Sequence, residues 1–172
     1  MKKWIPSREE TAAQIGYLLL ITQDAEHSII TLIGTVYPNG KPTWDEIEKL
    51  NKGTLGRLIK QLKERVEMPD AFVSLLEGFL EHRNLFVHRL REQSWFDLHS
   101  ENGRDKIWDF IESYSKHLTE VLTVVQAALF KNMEEIGMPE TPYHKELEKT
   151  GYLNYIKSYY QKAQIAFGKK KS

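Results

Sequence analysis

Apolar side chains return every three or four residues from Ile107 through Ile111, Tyr114, Leu118, Val121 and Val125 to Ala128, about six turns of helix without interruption. A stripe that long commits the chain to helices packed on helices. It is incompatible with the two-residue period of a strand, and its apolar face has to be buried against another element. It predicts a long helix from about Arg104 to Ile136, closed by Gly137 and Pro139.

The rest of the chain divides in the same way. Ser7 and Glu10 have capping-box spacing, and Ile15, Leu18, Thr22, Ala25, Ile29 and Ile33 follow at helical steps, ending before the turn signal Pro38-Asn39-Gly40. Thr43 and Glu46 repeat the capping box for a short helix that Gly53 breaks. Thr54 caps a helix from about Leu55 to Val66, with Leu55, Leu58, Ile59 and Leu62 on one side. Pro69 opens a central helix running to about Arg91, and a loop holding Trp95 and Phe96 follows. A final helix, about Tyr143 to Phe167, carries Tyr152, Tyr155, Tyr159 and Tyr160; the first three share a face and are expected to dock it onto the remaining helices or onto a second subunit. The β-branched run near Ile29 to Val36 is a local strand signal that helix continuity overrides. The expected fold is all-α, an antiparallel four-helix bundle over residues 1–137 with an additional C-terminal helix in 138–172 and a basic tail, Lys169 to Lys171.

Composition narrows the function classes. Of 172 residues 41% are hydrophobic, enough for a core, and 28% are charged, as a soluble surface requires. The net charge of zero argues against a binder driven by bulk charge, though not against a local basic patch. The absence of cysteine removes disulfides and thiolate zinc sites. Arg8, Glu9 and Glu10 occupy the place where a secretory signal needs an apolar run, and the stretch Ile15 to Ile21 is far too short to span a bilayer. A cytoplasmic protein without membrane attachment is expected.

One polar cluster breaks the pattern. On an α-helical wheel with Leu80 at zero, Phe72, Leu76, Phe79, Val87 and Leu90 form a broad apolar face. Arg83 falls at about −60°, within that face, and Asn84 and His88 fall at about +40° and +80°, at its border. Such an interruption marks either a functional site or a specific structural network. In the structural case Arg83 reaches the rim or pairs with Glu77 or Glu81 on its own helix, and His88 is a bonded border residue.

The run His82-Arg83-Asn84-Leu85-Phe86-Val87-His88 resembles the signature of HEPN domains, an Arg, a polar residue directly after it, and a His four to six residues beyond the Arg on one helix of a four-helix bundle. The resemblance extends over roughly Ser7 to Ile136. It implies a metal-independent endoribonuclease of a toxin or antiviral-defence type, working as a homodimer whose two motif helices meet in one cleft. Under it Arg83, Asn84 and His88 are the catalytic residues. His88 would move a proton during attack of a ribose 2′-hydroxyl on the adjacent phosphate, Arg83 would stabilise the phosphoryl charge, and Asn84 would orient the imidazole or touch substrate. The products would be a 2′,3′-cyclic phosphate and a 5′-hydroxyl. Leu90 stands where some HEPN toxins carry a tyrosine that their antitoxin modifies, so control by that route is not expected, although an antitoxin or other regulatory protein remains an expected kind of partner. The alternative under the same resemblance is a non-catalytic binding or regulatory module; a plain helical scaffold is the third.

Arg89 and Arg91, with Arg83, lie in a stretch free of acids and are candidate RNA contacts, as is the Phe86 ring by stacking; Arg57, Lys60, Lys63 and Arg65 form a second basic group. For the basic residues a solvated helix face is an equally available role, and for an aromatic such as Phe86 a core or dimer contact is the commoner one. Gly53-Thr54-Leu55-Gly56 lacks the Gly-Lys ending and the preceding strand of a phosphate loop, and no His-Glu-x-x-His or Glu-x-x-His occurs, so no metal or cofactor is expected.

Overall fold

The computed structural model describes residues 4–35, 44–51, 53–135, 137 and 142–167. Among them the regular structure is helical, with no strand: α1 (Arg8–Thr35), α2 (Trp44–Asn51), α3 (Leu55–Arg65), α4 (Asp70–Asn84), α5 (Glu101–Glu135), α6 (Pro142–Lys149), α7 (Tyr152–Lys157) and α8 (Tyr160–Ala166). The fold class is therefore all-α. None of the described helices is long and apolar enough to cross a membrane.

Local signals account for the starts. The Ser7 amide donates to Glu10 Oε2 at 2.7 Å, and the Glu10 amide donates to Ser7 Oγ at 3.1 Å, a closed capping box at the head of α1. The Ser7 bonds hold the Glu10 carboxyl below its usual range. Thr54 caps α3 by accepting from the Arg57 amide, and Pro69 precedes α4. The long helix begins at Glu101, earlier than Arg104, because Ser100 Oγ caps it by accepting from the Gly103 amide at 3.1 Å. The Pro38-Asn39-Gly40 turn, the Thr43 cap, Pro139 and the lysine tail lie outside the described residues.

Packing centres on α5, against which α1, α4, α7 and α8 all lie; α3 touches both α1 and α4. The whole stripe from Ile107 to Ala128 is buried, as are Leu18, Ala25, Ile29 and Ile33 of α1 and Leu55, Leu58, Ile59 and Leu62 of α3. Three buried threonines need no outside partner for their protons: Thr11, Thr22 and Thr123 each donate to the carbonyl one turn earlier, at 2.7 Å.

The expectation of one C-terminal helix is corrected. Residues 142–167 form three short helices, because Gly151 takes a left-handed conformation at φ 74° and Ser158 bonds back to the Tyr155 carbonyl at 2.6 Å. The segment docks through Leu153, Ile156, Ala163 and Ala166, with Tyr152, Tyr159 and Tyr160 partly buried against the same core and Tyr155 left exposed. Tyr152 stacks on Tyr155 and Tyr155 meets Tyr159 in a tilted contact, while Tyr152 and Tyr160 donate to Gln126 and Glu134 of α5.

Candidate functional site

The motif helix changes pitch within the motif. α4 is α-helical to Asn84, Leu85–Arg89 form a π-helical turn, and Leu90–Glu92 close as a 3₁₀ turn. On an α-helix, residues five apart point about 140° from each other. A π turn bonds residue i to i+5 and brings such a pair into line. Arg83 and His88 are such a pair, and the wider turn lays one over the other.

Arg83 Nη1 lies 2.9 Å from His88 Nε2 and 3.3 Å from Asn84 Oδ1. A guanidinium has no acceptor, so Nε2 receives the hydrogen bond and the neutral imidazole carries its proton on Nδ1. The remaining neighbour comes from another helix: Arg83 Nε donates to Glu26 Oε1 of α1. That contact replaces the expected pairing with Glu77 or Glu81; Glu77 instead bonds Lys63, at 3.0 Å. Both ends of the Glu26–Arg83 pair are partly exposed, at 25% and 19%, so the cluster opens to solvent. His88 is exposed and Asn84 half-buried.

The wall behind the site is aromatic. Phe86 packs against Phe110 and Tyr114, with ring centroids 6.3 and 5.5 Å away, and Trp95 meets Phe110 in a tilted contact at 5.7 Å. Phe86 is only 6% exposed, so the ring considered as a base-stacking contact belongs to the core. Trp95 and Phe96 are half-buried against that core. Arg89 and Arg91, the other candidate contacts, are exposed and follow directly on His88. His82 faces away from the cluster: its Nδ1–H donates to the Gly78 carbonyl at 2.8 Å, and its ring stacks on His117.

Two contributors escaped the sequence reading. Glu26 sits at the border of the α1 stripe, next to buried Ala25, and a carboxylate in that position was the available signal. One turn before it, Thr22 shares a 3.0 Å hydrogen bond with Tyr114 of α5, which ties α1 to α5 at the level of the cluster. Among the described residues no group of three or more His, Cys, Asp or Glu side chains is placed to hold a metal ion. The site can therefore offer a forked cation, an imidazole with its lone pair at Nε2 and an amide, all at one solvent-facing point. No family model, curated protein or solved structure matches the chain.

Proposed function

We propose that the chain is a metal-independent endoribonuclease of HEPN type, acting through Arg83, Asn84 and His88 in a cleft formed by two copies. In this reading α1, α3, α4 and α5 are the antiparallel four-helix bundle, and the protein is a cytoplasmic toxin or antiviral-defence effector. The observation that carries it is the 2.9 Å contact between Arg83 Nη1 and His88 Nε2. A proton-transfer group and a phosphate-binding cation stand side by side, at the surface, on a helix whose turn is distorted to bring them together.

The chemistry follows from the groups. Phosphate oxygens engage the Arg83 fork, and the His88 lone pair turns from the guanidinium to the ribose 2′-hydroxyl. His88 takes the hydroxyl proton as the O2′–P bond forms. The P–O5′ bond breaks, and the leaving 5′-oxygen receives a proton from the counterpart His88 of a second copy, which enters the step as the imidazolium and leaves it neutral. The ends are a 2′,3′-cyclic phosphate and a 5′-hydroxyl. Arg89 and Arg91 supply cationic surface for the flanking backbone. The exposed side chains of Val87, beside His88, and of Leu19, on the same face of α1 as Glu26, give the second copy an apolar margin to cover.

Cleavage of a mixed RNA pool in chelator, with analysis of the ends, tests this. His88→Ala and Arg83→Ala should each lower the rate at least about a hundredfold while circular dichroism stays unchanged. Folded mutants that cut as fast as wild type, or activity lost to chelator, refute it. Light scattering should show a dimer at micromolar concentration, and a strict monomer with and without RNA removes the two-copy cleft. The Glu26 carboxylate, which already neutralises Arg83, favours a second reading as a binding module, to which a protein that binds RNA without cutting it would correspond.

A further inference from the structure

We propose that Glu26 is a positioning residue that sets the Arg83 guanidinium, and through it the His88 imidazole, in the geometry the site needs; its effect on cleavage rests on the ribonuclease reading above. An arginine side chain has enough rotatable bonds to leave a surface site unless it is held. Here it is held at two nitrogens by different elements. Nε is bound by Glu26 from α1, and Nη1 is bound by Asn84 and His88 on its own helix. Two held nitrogens, with the Cδ to which Nε is bonded, fix the plane of a rigid guanidinium. Among the described residues Nη2 has no hydrogen-bond partner, so its N–H groups remain for phosphate oxygens.

Glu26 is itself placed by the fold rather than by chance of rotamer. It lies one turn beyond Thr22, whose bond to buried Tyr114 fixes that level of α1 against α5. The carboxylate contacts Arg83 and not His88 or Asn84, so it has no proton to move in the reaction. Its contribution is orientation: with the fork fixed, Nη1 can hold the imidazole with Nε2 unprotonated and Nδ1 protonated.

Glu26→Ala removes the anchor. Glu26→Asp keeps the charge but retracts the oxygens by one methylene, and Glu26→Gln keeps an acceptor in place without the charge. Two readouts on the full-length protein decide the matter. In ¹⁵N–¹H spectra of the His88 ring, wild type and Glu26→Gln should show the single Nδ1–H tautomer, and Glu26→Ala and Glu26→Asp a mixture. In RNA cleavage, Glu26→Ala and Glu26→Asp should lose about tenfold or more in kcat with KM changed far less, and Glu26→Gln should recover most of it. An unaltered His88 tautomer in folded Glu26→Ala or Glu26→Asp overturns the positioning role whether or not the protein cuts RNA. Faster cleavage by those variants also overturns it, since Glu26 would then be a competitor for phosphate. A wild-type protein that cuts nothing, with the tautomer shift present, removes the nuclease reading and leaves the positioning of His88 intact.

Discussion

Tyr114 brings a hydroxyl to a place with no solvent exposure at all. Its partner is Thr22 Oγ1 at 3.0 Å, and because Thr22 donates its own proton to the Leu18 carbonyl, the phenol is the donor of the pair. Burial pushes the Tyr114 pKa up to about 12, and the Glu26 charge adds in the same direction. In the unfolded chain a tyrosine titrates near 10. Below pH 10 the group is protonated in both states and its full contribution is present. Between about 10 and 12 the unfolded chain alone loses the proton, so stability falls as pH rises, by on the order of 2 kcal/mol in all. Tyr114→Phe should cost about 1 kcal/mol at pH 8 through the lost hydrogen bond. Urea denaturation at stepped pH should then show the wild-type and mutant curves converging above pH 10. A gap that stays constant to pH 11.5 would show that Tyr114 titrates normally. The sequence marked Tyr114 as a core residue by its place in the stripe. It could not show the hydroxyl's partner, 92 residues away, just as it could not show that Arg83 pairs with Glu26, 57 residues away. Periodicity reports which way a side chain points, not which polar group waits there.

Several element boundaries were readable from a local chemical signal, although the Ser100 cap that starts α5 ahead of Arg104 was not. Ser7 with Glu10, Thr54 and Pro69 each stand at a helix start in the structure. The π turn from Leu85 to Arg89 was not readable, because the wheel assumes α geometry and no side chain announces a wider turn. The assumption matters: it separates Arg83 from His88 by about 140°, when the two are in contact. The break at Gly151 carried a signal, a glycine followed by the aromatic Tyr152, that the tyrosine spacing outweighed. The start of α5 gives a direct test of how a loop and a helix are fitted together. A Cβ on Gly103 would lie 2.1 Å from the Asp97 carbonyl oxygen and 2.7 Å from its Cβ. That obstacle is backbone, in the turn that carries Trp95 and Phe96 to the core, so it cannot swing aside as a side-chain tip would. Gly103→Ala should cost about 1–3 kcal/mol. In a chain of this size each kcal/mol lowers the melting temperature by roughly 2–4 °C. An unchanged melting temperature would mean the Asp97 turn yields freely and does not constrain α5.

At the scale of the whole molecule, what matters is whether residues 142–167 are an appendage or part of the core. Read along the sequence they follow Gly137 and Pro139 and look separable. In the structure α7 and α8 pack on α5. Ile156 has no exposed surface, Leu153, Ala163 and Ala166 are buried, and the Phe167 ring meets Phe72 of α4 edge-on at 4.8 Å. Together with Phe72 and Val124, Ala166 and Ile165 line a cleft of about 470 Å³, bridged at its rim by the 2.8 Å Lys162–Glu120 ion pair. Fully burying one large aliphatic side chain stabilises by about 1.5–3 kcal/mol, and an aromatic pair adds about 0.5–1.5 kcal/mol. Leu153, Ile156 and the Phe72–Phe167 contact thus amount to several kcal/mol, a large part of the roughly 5–15 kcal/mol that holds a domain folded. A chain ending at Gly137 should therefore unfold at distinctly lower urea concentration than the full chain, with a smaller m-value, and should bind a hydrophobic dye through the uncovered Phe72 and Val124. If the chain is the ribonuclease proposed above, the truncated form, where it remains folded, should still cleave RNA, since Arg83, Asn84, His88 and Glu26 all precede the cut. A truncated chain with the same urea midpoint as the full one would show that the α7–α8 contacts contribute nothing to stability and that the segment is separable after all.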